Sequence, residues 1–145
     1  MFAFLSEQPV GLYTSSILSC ANFLLGSAIS YQRAQTKRTI GYDEKDLDST
    51  LTKLARAHAN HAEYSPTIIA LMLFIESKVL MGKASNMKTV ANLRLCMLLY
   101  VLGRASITCG LLSPNPLTKV SPFRRVGAVT NYLFGLALSI GVLYC

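Results

Sequence analysis

The chain alternates long apolar segments with short polar ones, and this pattern predicts four helices. The first apolar segment, Val10 to Tyr31, contains no charged residue. As a helix it would be about 33 Å long, enough to cross a hydrocarbon core of about 30 Å. Polar and proline-containing connections divide the rest of the chain into three more segments. The predicted helices cover residues 10–32, 51–80, 90–112 and 122–145.

The second predicted helix is polar in its first half and apolar in its second. Charged residues and histidines precede Pro66, whereas residues 67–75 are apolar, so hydropathy alone would score this segment weakly. Pro66 is expected to kink the helix or widen one of its turns. The last helix has a clear start signal, because Ser121 is a good N-cap and Pro122 suits the first helical position.

Composition places the chain among membrane proteins. Hydrophobic residues make up 52% of the sequence and charged residues only 14%, whereas an average soluble domain contains about 25% charged residues. With 145 residues, the chain is expected to form a single domain over residues 1–145. The predicted fold class is therefore all-α, an integral multi-pass membrane four-helix bundle.

The four cysteines give no sign of a disulfide framework or of a metal site. Each lies within or at the end of an apolar segment, where a thiol behaves as a small apolar side chain. They are Cys20, Cys96, Cys109 and Cys145.

The net charge of +7 does not indicate a nucleic-acid partner, because the basic residues lie at the ends of apolar segments rather than in one block. Their bias places connections one and three in the cytoplasm and both termini on the other side. No basic leader precedes the first apolar segment, which is too long for a signal peptide and should remain in the mature protein. The counted residues are Arg33, Lys37, Arg38, Lys45, Lys119, Arg124 and Arg125 against Lys78, Lys83 and Lys88.

Three polar residues form one stripe on the second helix. At about 100° per residue from Arg56, Asn60 falls near 40° and Glu63 near −20°, with Tyr64 beside them near 80°. Charged groups at membrane depth cost about 2.5–3.5 kcal/mol each, so they usually serve a function. The stripe either bonds neighbouring helices or binds a ligand with separate charged ends.

The ligand hypothesis has a specific chemistry. Arginine pairs with a carboxylate, glutamate pairs with an ammonium group, and asparagine both donates to and accepts from a peptide amide. Glutathione carries all three groups. A metal ligand is not expected, because His58 and His61 lie on the far side of the helix and lack a third ligand.

Three further arginines are candidate site residues. Arg104 lies deep in the third apolar segment and should point inward, towards Glu63 or towards a ligand carboxylate. Arg124 and Arg125 begin the fourth helix, where they serve either as an interfacial anchor or to stabilise a thiolate. A free thiol has a pKa of about 8.5, and both a nearby arginine and a helix N-terminus favour its ionised form.

The segment 56–66, RAHANHAEYSP, resembles the signature of the MAPEG proteins, the membrane-associated proteins in eicosanoid and glutathione metabolism. This family includes microsomal glutathione transferases, prostaglandin E synthase and leukotriene C synthase. The segment 59–64, ANHAEY, is most similar to the bacterial-type branch. Gly103-Arg104 and the segment 122–127, PFRRVG, match as well, and the resemblance covers nearly the whole chain.

The resemblance implies a homotrimer that binds glutathione between neighbouring subunits at the cytoplasmic side. By motif position, the glutathione contacts would be Arg56, Asn60, Glu63, Tyr64 and Arg104, with Arg33 at the end of the first helix. The arginine that activates the thiol would be Arg124 or Arg125, with Arg124, directly after Pro-Phe, the first choice.

Three functional hypotheses follow. The first is a membrane glutathione transferase or peroxidase that acts on a lipophilic electrophile or lipid hydroperoxide from the bilayer. The second is a non-catalytic scaffold that binds lipid or glutathione, favoured by Ile107 and Leu111, which stand where catalytic members often carry aromatic residues or histidine. The third is a small proton-coupled transporter with Glu63 as its proton site. The membrane would be the inner membrane in a bacterium, and the endoplasmic reticulum or another organelle in a eukaryote.

Overall fold

The computed structural model describes residues 8–42, 46–84 and 86–144. Lys45 and Cys145, both considered above, lie outside these ranges. Within these ranges four α-helices follow one another: α1 (Val10–Gln35), α2 (Thr50–Leu80), α3 (Met87–Leu112) and α4 (Pro122–Gly141), with a short 3₁₀ helix at Val142–Tyr144. The described residues contain no strand. The predicted all-α four-helix architecture is confirmed.

The helix ends differ from the predicted ones by a few residues, and local contacts explain where they lie. The third helix begins at Met87 rather than at residue 90, because the Asn86 side chain accepts a hydrogen bond of 2.9 Å from the amide of Lys88. The first helix continues three residues beyond residue 32, to Gln35. The α-helical part of the last helix ends at Gly141, and the chain then tightens into the 3₁₀ turn.

The second helix begins at a side-chain cap, since the Ser49 hydroxyl accepts from the amide of Thr52 at 3.2 Å. It runs without interruption through Pro66 to Leu80. Its 31 residues make it the longest helix described. It packs against α1 along one side and against α3 along another.

Three of the helical segments are long and apolar enough to cross a membrane: α1, α3, and α4 together with the 3₁₀ turn. Helix α2, whose first half is rich in charged residues, is not one of these three. The outward sides of α1 and α4 expose large apolar side chains such as Phe23, Leu24, Val129 and Leu133. Exposure of such a surface to water is unfavourable, whereas lipid or a partner subunit would cover it.

Helices α3 and α4 approach each other closely, and glycines permit this contact. A Cβ atom on Gly127 would lie 2.7 Å from the carbonyl oxygen of Gly103, and one on Gly110 would lie 2.9 Å from the amide nitrogen of Arg124. Small residues at such contacts let membrane helices approach closely. The start of α4 is therefore pressed against the end of α3.

A buried ion pair ties three helices together at the opposite end of the bundle. Arg94 on α3 is paired with Glu76 on α2, and these side chains are only 2% and 0% exposed. The amide of Gly11 on α1 donates to the same carboxylate at 2.8 Å. The sequence analysis did not identify this pair.

Candidate functional site

A cleft of about 390 Å³ opens where the beginning of α2, the end of α3 and the beginning of α4 meet. We call it the first cleft. It brings together four of the residues selected from the sequence, although α2 and α4 are separated by the whole of α3. Its lining consists of Leu47, Arg56, Ala59, Asn60, Glu63, Leu111, Leu117, Thr118 and Arg124.

A second cleft of about 290 Å³ shares Asn60, Leu111 and Arg124 with the first. It contains Tyr64, Arg104 and Arg125 and has an apolar wall formed by Ile107 and Leu111. The two clefts are thus adjoining parts of one site. The remaining lining residues of the second cleft are Val120, Ala128, Asn131 and Tyr132.

Arg104 is held inside the bundle by polar partners from α2 and α4. The side chain is 1% exposed. One terminal nitrogen donates to the backbone carbonyl of Asn60 at 2.9 Å, and the other donates to Oδ1 of Asn131 at 3.4 Å. Its guanidinium carbon also lies 5.7 Å from the centre of the Tyr64 ring. These contacts, rather than an ion pair with Glu63, fix Arg104 in the described part of the chain.

Asn60 offers an unused acceptor to the site. Its side-chain oxygen is buried and has no hydrogen-bond partner among the described residues, while its residue lines both clefts. Buried polar groups are nearly always paired, so an exception calls for an explanation. A ligand that donates an N–H group to this oxygen would supply the partner.

Arg56 and Glu63 are the exposed members of the stripe. The guanidinium carbon of Arg56 lies 5.3 Å from the centre of the Tyr42 ring. Tyr64 turns instead towards α4, where its hydroxyl lies 3.2 Å from that of Tyr132 and the two rings meet edge to face. The stripe therefore presents one cation and one anion to the first cleft.

Arg124 lines both clefts, and its guanidinium is oriented by the α3–α4 loop. Nη1 donates to the carbonyl of Leu117 at 2.9 Å and to that of Lys119 at 3.4 Å. The hydroxyl of Ser121 caps the helix by accepting from the amide of Arg124 at 3.3 Å. Arg125 is exposed and lines only the second of these two clefts.

The family model described as "MAPEG family" matches residues 11–144, which is nearly the whole chain. The chain belongs to the MAPEG family. No curated protein and no solved structure matches it.

Within this one MAPEG chain, Arg33 lies outside both clefts. It donates to the carbonyl of Gly41 at 3.3 Å in the α1–α2 connection. The two histidines face α1, as their helical angles predicted. His61 Nε2 lies 2.9 Å from the carbonyl oxygen of Leu18, and His58 lies beside Gly26. No group of three potential metal ligands occurs among the described residues.

Several residues that line the clefts of this MAPEG chain were not predicted from the sequence. Asn131 lies seven residues after Arg124 on α4, so helical periodicity places it on the same face and was a usable signal. Leu117 and Thr118 belong to an irregular loop that has no periodicity. Only the folded structure brings that loop to the cleft.

Proposed function

We propose that this MAPEG protein binds glutathione in the joined first and second clefts and acts as a membrane glutathione transferase or peroxidase. The observation that carries the proposal is the meeting of Arg56, Asn60, Glu63 and Arg124 in one cleft. The cleft volume lies within the range of about 300–1,000 Å³ that is usual for small-molecule sites.

The residues of the site suit the groups of glutathione. Arg56 would pair with a carboxylate, and Glu63 would pair with the ammonium group. The unpartnered side-chain oxygen of Asn60 would accept from a peptide N–H. When bound, glutathione supplies a thiolate, a strong nucleophile for electrophilic and peroxide groups.

Arg124 is the residue we propose to favour the thiolate. Its positive charge and the N-terminus of α4 both stabilise an anion beside them. Its guanidinium is already oriented by two loop carbonyls, so little reorganisation would accompany thiol ionisation. Arg125, which is more exposed and lines the second cleft, would act as the secondary cation of the site.

The lipophilic substrate would approach along α4. A third cleft of about 330 Å³ shares Tyr64, Asn131 and Tyr132 with the second and extends past Ile68 and Leu136. Leu136 is exposed on the apolar outer side of α4. A lipophilic electrophile or lipid hydroperoxide could therefore leave the bilayer and reach the site without crossing water, which supplies proximity to the thiolate.

One observation favours the second candidate function, a non-catalytic scaffold that binds glutathione or lipid. Ile107 and Leu111 form an apolar wall in the second cleft, and their side chains offer no hydrogen bond to a ligand.

The positive-inside bias supports a site on the cytoplasmic side of the membrane. Family membership supports a homotrimer with the site between subunits.

The deciding experiment titrates the purified protein in detergent with glutathione and follows thiolate absorbance near neutral pH, with binding measured separately by calorimetry. Arg124→Met is expected to abolish most of the thiolate signal and Arg125→Met to reduce it less. Lys83→Met, at the other end of the bundle, is the matched control for loss of one positive charge. Glutathione binding without any thiolate in the unmodified protein would favour the scaffold. The absence of glutathione binding would overturn both the enzyme and a glutathione-binding scaffold.

A further inference from the structure

We infer that Asp48 and Lys53 are positioning residues, which fasten the α3–α4 loop so that its carbonyls orient the guanidinium of Arg124. This inference rests on the proposed function, because it assigns to the loop the placement of the arginine that favours the thiolate. Neither residue belongs to the polar stripe on α2.

The first fastening is made by a buried lysine. The Lys53 side chain on α2 is only 8% exposed. Its Nζ donates to the carbonyl of Ser113 at 2.9 Å and to that of Pro114 at 3.4 Å. These carbonyls follow the last turn of α3, where backbone acceptors lack helical partners and a cation is favoured. Lys53 thus fixes the beginning of the loop to α2.

The second fastening holds the middle of the loop and is made by Asp48, which lies just before α2. Its Oδ1 accepts from the amide of Leu117 at 2.8 Å. Asp48 is itself held in place, because its own amide donates to Oδ1 of Asp46 at 3.0 Å. The carbonyl of Asp46 in turn accepts from the Thr52 hydroxyl at 3.1 Å. The acceptor therefore belongs to a segment that is folded onto the start of α2.

Leu117 connects Asp48 to Arg124. Its amide is bound by Asp48, and its carbonyl accepts from Nη1 of Arg124 at 2.9 Å. A turn in which the amide of Lys119 donates to the carbonyl of Pro116 at 3.0 Å brings the second carbonyl, that of Lys119, to the same Nη1. Leu117 also lines the first cleft. Any displacement of this loop would move the carbonyls that hold Arg124 and would change the shape of the cleft.

An arginine side chain has many rotamers, so its placement must come from its contacts. Here the contacts are backbone carbonyls of an irregular loop that lacks a regular hydrogen-bond ladder. The bonds at Ser113 and Leu117 fix the position of the loop backbone relative to the beginning of α2. The same helix carries Arg56, Asn60 and Glu63. The arginine that favours the thiolate and the stripe that binds the ligand are thereby held in one frame.

The test uses the full chain in detergent, with Asp48→Ala as the disrupting variant and Asp48→Asn as the matched rescue, since an amide oxygen still accepts from Leu117. In the glutathione-free protein, hydrogen exchange of peptides from residues 113–121 is expected to accelerate in Asp48→Ala and not in Asp48→Asn. With glutathione added, Asp48→Ala is expected to raise the pKa of the bound thiol by about one unit, a tenfold lower ratio of thiolate to thiol. Lys53→Met should produce the same two changes through the other fastening.

Two results would overturn the inference while leaving the proposed function intact. One is an unchanged thiol pKa in both Asp48→Ala and Lys53→Met. The other is an equal pKa change in Asp48→Ala and Asp48→Asn without faster exchange of the loop, which would assign the effect to the charge of Asp48. Failure of the proposed function is recognised separately, by the absence of thiolate in the unmodified protein, and the inference would then fall with it.

Discussion

At the scale of single residues, the backbone and the side chain of Asn60 differ in what they bind. Its backbone carbonyl accepts from Arg104 at 2.9 Å, whereas its side-chain oxygen is buried without a partner among the described residues. The first contact belongs to the fold and survives substitution of the side chain. For the side-chain oxygen, we propose that a ligand supplies the partner.

Asn60→Ala is therefore expected to weaken glutathione binding and to leave the stability of the protein nearly unchanged. A lost hydrogen bond to a buried group corresponds to about 1–3 kcal/mol, or roughly a 5- to 150-fold higher Kd. Calorimetric titration and a thermal melt in detergent measure the two effects. An unchanged Kd in a normally folded variant would exclude the side chain of Asn60 from the binding site.

The Glu76–Arg94 pair shows how charge is tolerated in the apolar interior. Both side chains are almost fully buried, and the carboxylate also receives the amide of Gly11. Removing one member of a buried pair leaves an uncompensated charge, which is more costly than the loss of the pair itself.

Arg94→Met is expected to lower the free energy of unfolding by about 3–5 kcal/mol. The double variant Glu76→Gln with Arg94→Met should recover part of this loss, because no unpaired charge then remains. Chemical unfolding in mixed micelles, run as a double-mutant cycle, measures the coupling. Strictly additive effects would show that the two side chains do not act as a pair.

At the scale of helices, the backbones of α3 and α4 lie so close together that a side chain at Gly127 would not fit between them. A Cβ on Gly127 would lie 2.7 Å from the Gly103 carbonyl oxygen and 2.8 Å from the Ile107 amide nitrogen. By contrast, a Cβ on Gly135 of the same helix would make ordinary contacts, at 3.5 Å from Tyr100 and 3.6 Å from Ile68.

Gly127→Ala should therefore destabilise the protein by about 1–3 kcal/mol, since the helices must separate to admit the methyl group. Gly135→Ala is the matched control and should remain close to the unmodified protein. Melting temperatures in one detergent compare the two. Equal melting temperatures would mean that α3 and α4 do not pack as closely as described.

Local periodicity explains which parts of the fold and site could be predicted from the sequence. The stripe of Arg56, Asn60 and Glu63 follows from about 100° of rotation per residue, and the helices follow from long apolar segments. Helix ends depend on single caps such as Asn86, so their prediction was less accurate. The pairing of Glu76 with Arg94 requires the relative height of two helices, which periodicity within each helix does not contain.

The same limit applies to the α3–α4 loop. Its prolines correctly indicated the end of α3, but they gave no information on which groups would bind its backbone. The contacts from Lys53 and Asp48 to that loop join residues about sixty or more positions apart in the chain. Such contacts arise only from the packing of α2 against α3.

At the scale of the whole molecule, the outer sides of α1 and α4 expose many large apolar side chains. Lipid or neighbouring subunits must cover this surface. Membership of the MAPEG family favours a trimer, in which part of this surface would lie between subunits.

We therefore expect native mass spectrometry of the detergent-solubilised protein to give particles of three chains. Closed symmetric assemblies are the common outcome when one surface binds another on an identical copy. The measurement should be repeated in two detergents, because a harsh detergent can separate subunits. A single-chain particle that binds glutathione and forms its thiolate would contradict the trimer and show that one subunit contains a complete site.

The position of the buried ion pair has a mechanical consequence. Glu76 lies thirteen residues beyond Glu63 on α2, about 20 Å along the helix axis. Helices α1 and α2 contact each other extensively, as do α3 and α4, and α1 and α2 each also contact α3. The ion pair joins the two helix pairs at one end, and the clefts lie between them at the other. The contacts of Lys53 and Asp48 with the α3–α4 loop join the same two pairs at the cleft end. The site therefore lies in a bundle whose helix pairs are held together at both ends, which limits how far the clefts can change shape when a ligand enters.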